Sequence, residues 1–187
     1  SAPVHLALDP VTLATPETAR LLALGAGRGL RLGLDVAIED VAAAPAAFAR
    51  LLATTRTAGI PVALTGITAD HLAIAAPEAL GVDLLKLEAG PGFSVLGPRL
   101  AALREALGSA RLLLAGAATE AVVRWGMEQG IRRFQGAHVE AMLAAARVLG
   151  CPQARFCTLA QCAERAAAVS PAGRAGCRDL ARLDRAG

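Results

Sequence analysis

The sequence predicts an α/β fold on a parallel sheet, wound either as a barrel or as a doubly wound sheet. Short apolar runs alternate with longer segments of helical period, which is the order of βα units. The runs lack strict apolar–polar alternation, as strands do when helices cover their outer face. Gly and Pro punctuate the joints between the two kinds of segment.

The strand candidates are residues 4–8, 32–38, 61–65, 83–87, 111–115 and 131–134. Between them the helix signals are explicit. Thr15-Pro16 reads as an N-cap followed by the first helical position, with Leu21 and Leu22 turned inward. Phe48, Leu51 and Leu52 form an apolar stripe that stops at Gly59, with Pro61 just beyond. Leu96, Leu100, Leu103 and Leu107 keep the helical period between Gly97-Pro98 and Gly108. Thr119 caps a segment carrying Val122, Val123 and Met127, which Gly130 ends. After Phe134 the rhythm changes to helices alone. Residues 137–149 form one, Thr158 to Gln161 is a capping box opening another, and 174–185 is a short last one after the Ser170-Pro171 break. The expected division is a barrel over residues 1–150 and a helical extension over 151–187.

At 187 residues the chain has the length of one domain with its own core. Its hydrophobic fraction of 55% is largely alanine, and no apolar run reaches the length of a membrane span. Residues 1–10 lack the basic start and cleavage site of a signal peptide, so the expected location is cytoplasmic. The net charge is only +3, the arginines are scattered, and four Phe, one Trp and no Tyr leave little for base stacking. Those features exclude nucleic acid as the expected partner. The basic residues are almost all Arg; Lys86 is the one lysine. Cys151, Cys157, Cys162 and Cys177 all fall in the last quarter, and no two stand two residues apart. That spacing matches no paired zinc signature, so the thiols are expected to be buried and unmetallated in a reducing cytosol. No cofactor is expected.

Several segments, in order, carry a resemblance. Leu32-Gly33-Leu34-Asp35-Val36-Ala37 resembles the strand that presents a metal-binding Glu in the EAL domain, the cyclic di-GMP phosphodiesterase family. Residues 59–66, Gly-Ile-Pro-Val-Ala-Leu-Thr-Gly, stand where that family has a strand ending in paired aspartates. Val82-Asp83-Leu84-Leu85-Lys86-Leu87-Glu88 is similar to its Val-Asp-Leu-Leu-Lys-Ile-Asp strand. Residues 112–120 parallel its Glu-Gly-Val-Glu-Thr-Glu stretch, and Gly130 through Gln135-Gly136 its closing Gly…Gln-Gly segment. Each fragment alone is weak; their shared order over residues 4–138 carries the match.

The resemblance implies a modified (β/α)8 barrel with its site at the C-terminal strand ends. Here the barrel is incomplete, because the family's first strand, with its founding Glu, would precede Ser1. An incomplete barrel leaves a strand edge to be covered. In the family two metal ions held by carboxylates and one Asn activate water and neutralise phosphoryl charge. In this chain the Asn position aligns with His5 and the next carboxylate with Asp35. The paired aspartates become Thr65 and Gly66, and two further Glu positions become Ala115 and Ala118. Lys86 and Gln135 match by identity.

The resemblance therefore implies a catalytically inactive domain, a regulatory or scaffolding module acting through a protein partner or a homodimer. The alternative is a non-hydrolysing cyclic di-GMP receptor using Lys86, Gln135, Asp35 and His5 as vestigial ligand contacts. A third reading is an unrelated barrel enzyme drawing on His5, Asp35, Lys86, Glu88 and His138. Lys86 itself has two readings: a retained phosphate contact, or a cation paired with Asp35 or Glu88, because buried charges need partners. His71 is expected on the helix after Thr65, on a surface or half-buried face.

Overall fold

A computed structural model describes residues 4–168 and 170–183. Five strands, β1 (Val4–Ala7), β2 (Leu32–Ala37), β3 (Val62–Ile67), β4 (Leu84–Glu88) and β5 (Leu112–Ala115), form one sheet. Every pairing is parallel and the spatial order is β1-β2-β3-β4-β5. A doubly wound sheet reverses its strand order at a switch point; this one does not. Consecutive right-handed crossovers instead send the connecting helices to one face, as in a barrel wall. Among the described residues the sheet is open, with β1 and β5 at its edges.

The chain packs as two compact units. The first comprises residues 1–116 and 124–134, the second residues 117–123 and 135–187. Helix α8 (Ala137–Leu149) belongs to the second of these units.

In the first unit the helices are α1 (Pro10–Leu13), α2 (Pro16–Gly27), α3 (Ile38–Ala43), α4 (Pro45–Ala58), α5 (Ala69–Ile74) and α6 (Gly97–Leu107). Leu34, Val36, Val62, Leu64, Leu85, Leu87, Leu112 and Leu114 alternate along the strands on one face, all at most 1% exposed. Leu13, Leu22, Ile38, Val41, Phe48, Leu51, Leu52, Leu72, Leu100 and Leu103 are the buried residues the helices contribute. Burying each such side chain is worth about 1.5–3 kcal/mol, so this layer is the main stabiliser of the unit. Thr15 caps α2 by accepting from Thr18 N at 3.3 Å. Gly59, left-handed at φ 66°, closes α4. Phe93 meets Trp125 edge-on, with ring centroids 5.5 Å apart.

Two expectations change. Leu21 is 68% exposed, because the inward row of α2 runs through Thr18 and Leu22, one turn apart, and Leu21 lies off it. Residues 131–134 make no strand but a single bridge from Phe134 to Leu114, with Leu114 N donating to Arg133 O at 2.9 Å. Only Ile131 of that run is fully buried, and exposed Arg132 and Arg133 carry the chain past the sheet edge.

Helix α7 (Glu120–Glu128) begins in the second unit and ends in the first. In the second unit Thr119 Oγ1 accepts from Val122 N at 3.4 Å. Helix α9 (Leu159–Ala167) opens on the expected capping box between Thr158 and Gln161. The final helix is shorter than expected: α10 spans Leu180–Leu183, after turns through Gly176 at φ 83°. Residues 184–185 of that expectation lie outside the described residues.

Candidate functional site

The second face of the sheet in the first unit is the one the helices leave uncovered. It carries His5, Gly33, Asp35, Ala63, Lys86 and Glu88, the residues one step out of phase with the apolar set. Asp35 sits at its centre. Its Oδ1 lies 2.8 Å from His5 Nδ1, and its Oδ2 accepts from Lys86 Nζ. Both carboxylate oxygens are therefore engaged. The three side chains are 35% (His5), 17% (Asp35) and 11% (Lys86) exposed, so the Asp35–Lys86 pair is held largely out of water.

The sheet explains how Lys86 reaches Asp35. They stand on β4 and β2, two strands apart, with β3 between them. The register puts Ala63 beside Asp35 on one side and Leu84 on the other. A methyl group at 63 is short enough for a four-carbon lysine stem to cross above it. Ala63 itself is 2% exposed.

The β3–β4 register slips at this level: Leu64 pairs with Leu85 but Ile67 with Leu87. Thr65 and Gly66 thus face Lys86 alone, which is a bulge. Gly66 has φ 73°, a conformation glycine adopts without penalty. A Cβ there would lie 3.3 Å from Glu39 Oε2. Glu39, in the first turn of α3, is a carboxylate that sequence reasoning missed, although its place four residues after Asp35 was visible. Its Oε1 lies 3.8 Å from His71 Nε2. His71 is half-buried on α5, its Nδ1 3.0 Å from Thr68 Oγ1 and 3.1 Å from Gly66 O, a fold-holding role.

The register also refines where His5 stands. It pairs with Gly33, not with Asp35, and its ring lies 3.0–3.2 Å from where a Gly33 Cβ would be. Glycine at 33 makes the room in which the imidazole leans along β2 to Asp35. Glu88 ends β4 beside Ala115, with Oε2 3.6 Å from a Cβ built at Gly116. Gln135 and His138 belong to the second unit. There Gln135 O accepts from Ala117 N at 3.0 Å, and His138 N donates to Ala117 O at 3.1 Å. Gly136 between them has φ 148°, and a Cβ on it would fall 2.5 Å from Ala117 N, so only glycine fits.

A cleft of about 490 Å³ runs along the other end of the strands, lined by His5, Arg31, Leu32, Pro61, Asp83 and Arg133 among others. Asp83 Oδ2 accepts from Val62 N at 2.8 Å, tying β4 to β3. This is the N-terminal end, where barrels place stability rather than chemistry.

Together these features describe an open, barrel-type wall of parallel strands with an Asp–Lys–His cluster at mid-strand on one face. Solved structures give the wall its class. The Bacillus subtilis YkuI protein, with an EAL domain and solved in complex with substrate c-di-GMP and calcium, matches at TM-score 0.58 with 21% identity, over 73% of this chain and 36% of its own. The Vibrio cholerae LapD S helix–GGDEF–EAL structure, in its apo form, matches at TM-score 0.58 with 12% identity, over 75% of this chain and 37% of its own. This chain has an EAL-like fold. It spans little more than a third of the solved chains it matches. No family model and no curated protein matches it. Among the described residues no helix is long and apolar enough to cross a membrane.

Proposed function

We propose that this chain is a catalytically inactive EAL-like domain that serves as a regulatory or scaffolding module through protein contacts. The observation that carries the reading is the closed Asp35 cluster. Two-metal phosphodiester hydrolysis needs several carboxylates turned toward the ions, because the metals make the nucleophile and clamp the phosphoryl group. Here Asp35 spends both oxygens on Lys86 and His5. Thr65, Gly66 and Ala115, at the neighbouring strand ends, bring no carboxylate.

The same cluster argues against a phosphate site. Lys86 is 11% exposed and already neutralised, so a cyclic dinucleotide would have to break the pair before using its charge. Support for protein contacts comes from the edge-strand side. Val4, Val11, Leu21, Leu24 and Leu30 are 48–68% exposed on β1, α1, α2 and the α2–β2 connection. Exposed apolar side chains grouped beside an open strand edge are what interaction surfaces look like.

Calorimetry with cyclic di-GMP, with and without Mg2+ or Mn2+, tests the reading alongside light scattering. Expected are no binding heat at micromolar nucleotide and self-association that weakens in Leu21→Glu/Leu24→Glu. Micromolar binding abolished by Lys86→Ala would replace the scaffold with a receptor.

A further inference from the structure

The four cysteines come from four separate turns of the second unit. Cys151 follows α8, Cys157 follows the short turn Ala154–Phe156, Cys162 lies in the first turn of α9, and Cys177 precedes α10. All four line one small cavity, together with Arg147, Arg165, Asp179 and Arg182. None is in a disulfide. No linear motif brings them together; the fold does.

Three further observations point to an occupant. The first is convergence: α8, which ends beside Cys151, packs on α9, which carries Cys162, and α10, which follows Cys177, packs on α9 as well. The second is charge. Arg165 Nη1 donates to Cys157 Sγ at 3.2 Å, and Arg147 Nε is buried with no hydrogen-bond acceptor. Arg182 Nε lies 3.6 Å from Asp179, the one carboxylate of the lining. A buried guanidinium beside neutral thiols is costly. Beside four thiolates on a metal it is matched, since such a centre carries net negative charge and accepts N–H···S bonds from its surroundings.

The third is the size of the core. Among the described residues of this unit the buried apolar side chains are Ala117, Ala144 and Leu183, while Met142, Leu149, Phe156, Leu159 and Leu180 are 44–91% exposed. A unit with so little buried area holds together through staples, and a metal on four thiolates is one.

We propose that Cys151, Cys157, Cys162 and Cys177 are the ligands of a single thiophilic metal centre, Zn2+ or an iron–sulfur cluster, that staples the second unit. Among the described residues no group of three or more His, Cys, Asp or Glu side chains is placed to hold a metal ion, so the centre requires the four thiols to turn toward one another. Tetrahedral zinc and the common iron–sulfur clusters both take four cysteine thiolates.

The test is metal analysis of the full chain, purified anaerobically without chelator, with thiol titration by Ellman's reagent. About one zinc per chain and no visible absorbance supports a zinc site; iron with matching acid-labile sulfide and broad visible absorbance supports a cluster. In either case the four thiols resist the reagent until metal is stripped. Cys162→Ser and Cys177→Ser are each expected to lower the metal content at least about fivefold, in line with the loss of one of four ligands. Trp125 fluorescence, which reports on the first unit, shows whether a variant has failed to fold altogether. Metal-free protein with four promptly reactive thiols, or thiols consumed in disulfides, overturns the proposal.

Discussion

Asp35→Ala is the sharpest probe of the first unit. It removes the carboxylate that neutralises Lys86, a side chain only 11% exposed, and leaves an uncompensated cation on the sheet face. Breaking a buried pair from one side costs about 3–5 kcal/mol. In a chain of this length each kcal/mol lowers Tm by about 2–4 °C, so the expected drop is about 6–20 °C. His5 also loses its partner, but at 35% exposure its ring reaches water and adds little. Thermal unfolding followed by Trp125 fluorescence is the assay, because the chain's one tryptophan packs on Phe93 in the same unit. Asp35→Leu/Lys86→Met removes both charges and is expected to regain most of the loss, giving a large coupling energy in a double-mutant cycle. A Tm change under about 2 °C for Asp35→Ala, or a double variant no more stable than the single, would refute the reasoning.

Other outcomes follow from the same geometry. Ala63→Leu pushes a bulky side chain between Asp35 and Lys86 and should cost about 1–3 kcal/mol in urea unfolding; a neutral result would mean the lysine does not cross above residue 63. Gly66→Ala forces a side chain into φ 73° against Glu39 and should cost about 1–2 kcal/mol by the same measurement. Glu78 accepts from Arg99 through both oxygens, at 2.8 and 2.7 Å, and that contact holds its carboxyl below the usual range. A carboxylate lowered on folding stabilises fully above its unfolded value of about 4.5 and loses that contribution as pH falls through the lower folded value. The stability gap between wild type and Glu78→Gln should therefore be full at pH 7 and shrink below about pH 4.5; a gap that widens in acid contradicts the pairing.

The strands were legible because each is a short apolar run bounded by Gly or Pro, and five of six runs pair within a residue or two of their expected limits. The sixth, at 131–134, was misread because apolarity at Ile131 and Phe134 looks the same in a strand as in a chain leaving a sheet edge. Leu21 was misread because packing alone decides whether both of two adjacent leucines on a helix are covered: Leu51 and Leu52 both are, whereas beside buried Leu22 Leu21 is not. In the candidate site the residue types were visible, but the register was not. Nothing in the sequence says that His5 lies over Gly33 and leans to Asp35, or that Thr65 and Gly66 share one partner. The cysteine cavity was the least legible feature. Its members are separated by five, four and fourteen intervening residues, so their convergence is a property of four turns rather than of a motif.

The central proposal is that this EAL-like domain is catalytically inactive. Incubating the full chain with cyclic di-GMP and millimolar Mn2+ or Mg2+, and separating the nucleotides by chromatography, addresses it directly. The cyclic dinucleotide is expected to be recovered intact after hours at micromolar protein. Metal-dependent appearance of the linear dinucleotide, abolished in Asp35→Asn, would contradict the claim.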